Sequence, residues 1–240
     1  MGLHLSRTQL HQQLRILIYI TAVLLSSTVA AQKRHSIGIA HKHEKYYLTK
    51  TCYDILEWEE VALTNKKIQN KVNSIIRKAV RSYKEDYSLR CDKELNYSVL
   101  RTFKVVYANN GIISYHLESN IYYKGILHDF HSFNSLNFNA ETGQQITLDS
   151  LIEPAQLSNL YNLVIANIAL ENKIDGLDSN DVEAQFEHQN FLVTNEGIKM
   201  LYLIRSYPME VTLTFQELRS YVNKNSRLGR LTDMRTGNKR

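Results

Sequence analysis

The stretch YANNGIISYHLESNIYYKGILHDFHSFNSLNFNAETGQQITLDSLI, residues Tyr107–Ile152, decides the fold. It holds strand-like runs separated by glycine-marked turns. Asn109-Asn110-Gly111 is a hairpin signal, because asparagine and glycine tolerate positive φ. Ile112 to Asn120 is expected to return as the partner of the aromatic and β-branched run Tyr97 to Ala108. Ile121 to Tyr123 and Phe133 to Phe138 flank a turn region, Lys124 to Ser132, that contains Gly125 and His128. Glu141-Thr142-Gly143 makes a further tight turn before Gln145 to Leu148. Strands at such short spacing predict an antiparallel meander.

Working outward, Lys45 to Val61 reads as an opening strand or strand pair. The clearest helix follows it. Ile68, Val72, Ile75, Ile76, Ala79, Val80, Tyr83 and Tyr87 share one face of a 3.6-residue period, with Thr64 or Asn65 as the cap. Its other face is basic, carrying Lys66, Lys67, Lys71, Arg77, Lys78, Arg81 and Lys84. On the C-terminal side, Pro154 suits a first helical turn. Leu157, Leu160, Tyr161, Val164 and Ile168 continue a second helix toward Asn172. Asp181 to His188 is a weaker helical stretch. Phe191 to Val193, Ile198 to Ile204 and Val211 to Phe215 read as strands, and Gln216 to Val222 as a last short helix. The expected architecture is one α+β domain over residues 45–223, an antiparallel meander sheet packed against two main helices.

Residues 1–31 read as a signal peptide: a basic lead with Arg7 and Arg15, a ten-residue apolar run from Ile16 to Leu25, and small residues up to Ala31. That run is half of the roughly 20 residues needed to span a bilayer. The chain is therefore expected to be secreted or periplasmic, with no membrane span after cleavage. Residues 32–44, rich in histidine, read as a poorly ordered leader, and 224–240 as a basic disordered tail. The formal net charge of +5 sits mainly in that tail, so the body is slightly acidic and nucleic acid is not an expected partner. Cys52 and Cys91 are the only cysteines, and export favours pairing them in a disulfide.

Five features in order resemble the extracellular domain shared by the anti-sigma factor RsiV and the peptidoglycan deacetylase PdaC. They are the strand before an amphipathic helix with Asn73 at its middle, the phrase NGIIS, the turn GILH, the phrase LNFNAETGQQITLDSLI, and FLVTNEGIKMLY followed by TFQEL. The likeness covers roughly Tyr46 to Val222. The sequence carries neither a cytoplasmic sigma-binding segment nor a deacetylase-like segment after Val222, which favours a free exported binding or sensing module. The resemblance implies a cell-wall-related ligand such as peptidoglycan, or an extracellular protein such as lysozyme, as partner.

The chemistry legible in the residues is sparse. Neither a G-x-S-x-G elbow nor a glycine-rich phosphate loop occurs, so a non-enzymatic module without a cofactor is the leading reading. His128, Asp129 and His131 form HDFH, which offers a metal-assisted hydrolase as the alternative, with His116 as a distant further ligand. On a strand, positions 128 and 131 face opposite ways, so His128 reads first as a turn-pinning residue. Glu57, Glu59 and Glu60 around Trp58 read as exposed charges. His35, His41 and His43 lack fixed geometry in a flexible leader. Among 15 tyrosines, Tyr46, Tyr47, Tyr53, Tyr115, Tyr122 and Tyr123 lie on or beside strands as a possible contact surface. The binding residues expected here are His128, Asp129, Tyr122 and Tyr123. A surface-attached structural protein, held to wall polymer or membrane by the basic tail, is the third reading.

Overall fold

The computed structural model describes residues 37–47, 52–87, 97–123, 130–172, 190–204 and 207–237. All belong to one compact unit, Ile37–Arg240. The stretch expected as a signal peptide, Cys91, the expected turn with Gly125, His128 and Asp129, and the stretch Asp181 to His188 lie outside the described residues.

The architecture is mixed α+β. A five-stranded sheet has the order β1 (Gly38–Tyr47), β2 (Tyr53–Ala62), β3 (Tyr97–Asn109), β4 (Ile112–Tyr123) and β5 (Phe130–Asn139). Helix α1 (Lys66–Tyr87) connects β2 to β3, and those two strands run parallel, whereas the other pairs are antiparallel. The expected all-antiparallel meander therefore holds from β3 to β5 and is broken once, by a βαβ crossover. A parallel pair needs a long connection, and α1 is that connection.

Helix α1 begins where expected, because Asn65 Oδ1 accepts from the N–H groups of Lys67 and Ile68 at 3.1 and 3.3 Å. Its Val72, Ile76 and Val80 are buried against Leu56, Val61, Phe103, Tyr115, Leu117 and Phe138. Asn73 is buried too. Its side chain donates to Val61 C=O and accepts from Val61 N–H, at 2.9 and 3.0 Å. That pair of bonds satisfies strand-end backbone under the helix, where water has no access.

The hairpin β3–β4 turns at Asn110 (φ 49°) and Gly111 (φ 74°), the double positive φ of a type I′ turn. Register shifts between Val105 and Tyr107. The extra residue, Val106, reverses the alternation of the strand, so Val105 packs on the α1 side while Tyr107 enters a second core. At the next turn Asn139 Oδ1 accepts from Glu141 and Thr142 N–H, and Gly143 takes φ 64°. The expected strand Gln145 to Leu148 is reduced to one bridge, Phe138 to Gln145, because Leu148 opens helix α2 (Leu148–Leu151).

The second core is built by α2, a 3-10 turn at Pro154–Gln156, helix α3 (Leu157–Asn172), and a three-stranded sheet, β6 (Phe191–Val193), β7 (Gly197–Ile204) and β8 (Tyr207–Thr214). Leu160, Val164 and Ile168 of α3 are buried in it, as the spacing predicts. A short helix α4 (Phe215–Leu218) follows β8, closed by the reciprocal Thr214–Glu217 capping box. The small sheet meets the large one through side chains. Phe191 N–H donates to Ser135 Oγ, Val193 N–H to Ser114 Oγ, and Asn137 Nδ2 to Phe191 C=O. Ser114 also bonds Asn137. These buried polar residues sit on the sheet face opposite α1.

Two expectations at the ends are corrected. The stretch expected as leader, residues 32–44, contains most of β1, which pairs antiparallel with β2 from Gly38–Ala62 to Tyr47–Tyr53. The stretch expected as a disordered tail forms helix α5 (Arg227–Gly237), whose Leu228 and Leu231 are buried in the second core. Arg227 holds it to the hairpin turn, pairing with Glu141 and donating to Asn110 C=O. A Leu228→Ala variant is expected to lose about 2–3 kcal/mol in urea unfolding, the lower part of the range for buried leucine because a terminal helix can settle into the gap. A loss below about half a kcal/mol would show that α5 is not docked in solution.

Candidate functional site

The small sheet packs over the β3–β5 part of the large sheet. Toward β1 and β2 the same face carries polar side chains. Strand alternation places His41, His43, Glu57, Glu59 and Lys104 on it, because Leu56 and Phe103 point the other way, into the α1 core. Lys42, Trp58 and Phe103 form a single rung across β1, β2 and β3. With that rung as floor, the five charged and imidazole side chains wall a groove of about 290 Å³.

The groove is ordered by cross-strand pairs. His41 stands opposite Glu59, and His43 opposite Glu57. His41 Nδ1 lies 2.9 Å from Glu59 Oε1. A carboxylate only accepts, so Nδ1 is the donor. The other oxygen, Glu59 Oε2, accepts Val105 N–H at 2.6 Å, just past Trp58–Phe103, the last rung of the parallel ladder. Glu59 is therefore fixed at both ends and its side chain is only 12% exposed. The His43 Nδ1 to Glu57 Oε1 separation is 3.6 Å, and both side chains are half exposed.

Beyond Lys104 the face continues to His116, its opposite residue on β4. Burial lowers the His116 pKa, and nearby Lys199 and Lys104 push the same way, against the opposing pull of Glu118 and Glu210. Lys199 and Glu210, an ion pair at 2.6 Å between β7 and β8, bring the rim of the small sheet into this electrostatic neighbourhood. On the opposite, α1 side lies a separate buried pair, Asp54 with Arg101 at 3.2 Å. Ser119 accepts from Arg101 Nε at 3.4 Å.

Of the four residues expected to bind, only Tyr122 has a described side chain. His128 and Asp129 lie outside the described residues. Tyr122 is 43% exposed on the groove's face, and the side chain of Tyr123 lies outside the described residues although its backbone ends β4. His131 is exposed on β5, opposite Asn120, whereas His116 is opposite Ser135. Those rungs are four residues apart, roughly 13 Å at strand rise, too far to share a metal ion. Among the described residues, no three His, Cys, Asp or Glu side chains form a ready-made metal cage. Cys52 is buried, and no cysteine among the described residues is a free thiol. No described helix is long and apolar enough to cross a membrane.

The groove was missed in sequence because its histidines fall in a stretch without apolar alternation. The signal that could have found it is complementary: His-x-His on one strand opposite Glu-x-Glu on the next.

The fold matches solved structures. One is the crystal structure of a DUF3298 family protein from Pseudomonas aeruginosa, with TM-score 0.60 and 13% identity over 80% of this chain and 96% of that one. Another is a member of the same family from Bacteroides fragilis, with TM-score 0.56 and 13% identity over 81% and 96%. No family model matches the sequence, and no curated protein matches it.

Proposed function

We propose that this chain is an exported, non-enzymatic binding module of the DUF3298 kind, related to the extracellular domain of RsiV and PdaC, which recognises a cell-wall-related ligand or an extracellular protein. The observation that carries this reading is the β1–β3 part of the sheet face, which no other described element covers and where a polar groove crosses three paired strands with Glu59 held at both carboxylate oxygens. A strand-paired floor leaves little backbone ordering to do on binding. The sequence supports export through residues 1–31, and an oxidising compartment fits a bridge from buried Cys52 to Cys91. Mass spectrometry of the secreted protein should find Gln32 at the N-terminus and no reactive thiol.

Lysozyme and isolated peptidoglycan are the partners to test. Retention of one of them at micromolar protein is expected, weakened at least about tenfold by Lys104→Glu, which reverses charge in the groove wall without entering a core. Failure of both to bind at that concentration rejects the cell-wall version of the proposal.

A further inference from the structure

The groove's His-x-His and Glu-x-Glu rungs match the donor set of a zinc site. We propose that His41, His43 and Glu57 bind one divalent ion of the zinc class, with Glu59 as the outer partner that orients His41. Three observations support this.

First, β1 fixes the histidines. Positions i and i+2 of a strand point to the same side about 6.7 Å apart, and β1 is paired to β2 along its length. Second, His41 is already set for coordination through its far nitrogen. Nδ1–H donates to Glu59 Oε1, Glu59 is itself pinned by Val105 N–H, and Nε2 is left as the free acceptor. A carboxylate behind a histidine in this way fixes the tautomer and raises ligand basicity. Third, His43 Nδ1 and Glu57 Oε1 stand 3.6 Å apart. That is too long for a hydrogen bond. It is close to the roughly 3.3–3.6 Å that separates two ligands on one tetrahedral zinc, given metal–ligand distances of about 2.0–2.2 Å.

The three donors do not yet converge. Closing the set requires rotation of His43 and Glu57, whose side chains are 59% and 46% exposed and therefore free to turn. Two imidazoles and a carboxylate leave one position of a four-coordinate ion to water or to an anionic group of a partner. The mixed nitrogen and oxygen set favours zinc over calcium or magnesium, which take oxygen ligands.

This inference deepens the groove's role in the binding reading but is read out with the metal alone, so loss of lysozyme or peptidoglycan binding leaves it standing. The experiment is calorimetric titration of zinc chloride into the chelator-stripped protein and into His41→Ala, His43→Ala, Glu57→Gln and the control His131→Ala. Wild type and the control should bind one ion equally, and the three groove variants should bind at least about tenfold more weakly. The substituted side chains lie in no core, so unfolding curves should stay unchanged. Absence of binding to wild type, or equal binding by His41→Ala and His43→Ala, overturns the proposal.

Discussion

Replacing Arg101 by methionine is expected to destabilise the protein by about 3–5 kcal/mol at pH 8 and far less near pH 4.5, because it strands a buried carboxylate that is charged only at the higher pH. Asp54 is 1% exposed. Burial is the largest influence on it and raises its pKa to about 6, although Arg101 and the Ile55 backbone pull it down. Its Oδ1 has no hydrogen-bond partner among the described residues. A carboxyl whose folded pKa lies above its unfolded value binds its proton more tightly when folded. This group's contribution is therefore present below about pH 4 and is lost as pH rises toward 6. Removing Arg101 takes away a stabiliser of the charged form, so the loss extends to higher pH. Urea unfolding at both pH values measures it. The double variant Asp54→Asn with Arg101→Met should recover most of the loss at pH 8, and an Arg101→Met defect of equal size at both pH values would refute this account.

The second large effect concerns Asn73. Asn73→Ala removes both the acceptor for Val61 N–H and the donor to Val61 C=O, in a place where neither group reaches water. Each unsatisfied buried group costs about 1–3 kcal/mol, so a combined loss of about 3–5 kcal/mol is expected. For a domain of this size that corresponds to a fall in Tm of roughly 10 °C. Ser74→Ala, one position away on the exposed side of α1, is the control and should change little. If both variants unfold alike, the helix is not tied to β2 through this side chain.

Local signals were legible in the sequence and distant pairings were not. Helix α1 announces itself because Val72, Ile76 and Val80 repeat at helical spacing, and Asn110-Gly111 announces the hairpin because few other residues take positive φ at both positions. The parallel β2–β3 pair is illegible, since nothing in Tyr53 to Trp58 says which strand will lie beside it after a long helix. β1 was misread because a charged edge strand, with His41 to Lys45 alternating between two wet faces, has the composition of a loop. Helix α5 was misread because two leucines, Leu228 and Leu231, carry its docking amid arginines and two glycines. The groove shares this limit. Its walls come from three strands, and only their register puts His41 against Glu59 and Lys104 beside them.

The serine and asparagine seam under β6 has a consequence for how copies of this chain meet. The Phe191 amide and carbonyl and the Val193 amide on the outer side of β6 are occupied from within the same molecule, so that border offers little to an incoming strand. At the opposite limit of the protein β1 is the outermost strand of the five-stranded sheet among the described residues, and its Lys42, His43, Glu44 and Lys45 are exposed. Charged side chains there discourage fibril-like stacking of identical copies. One flank is sealed by chemistry and the other guarded by charge.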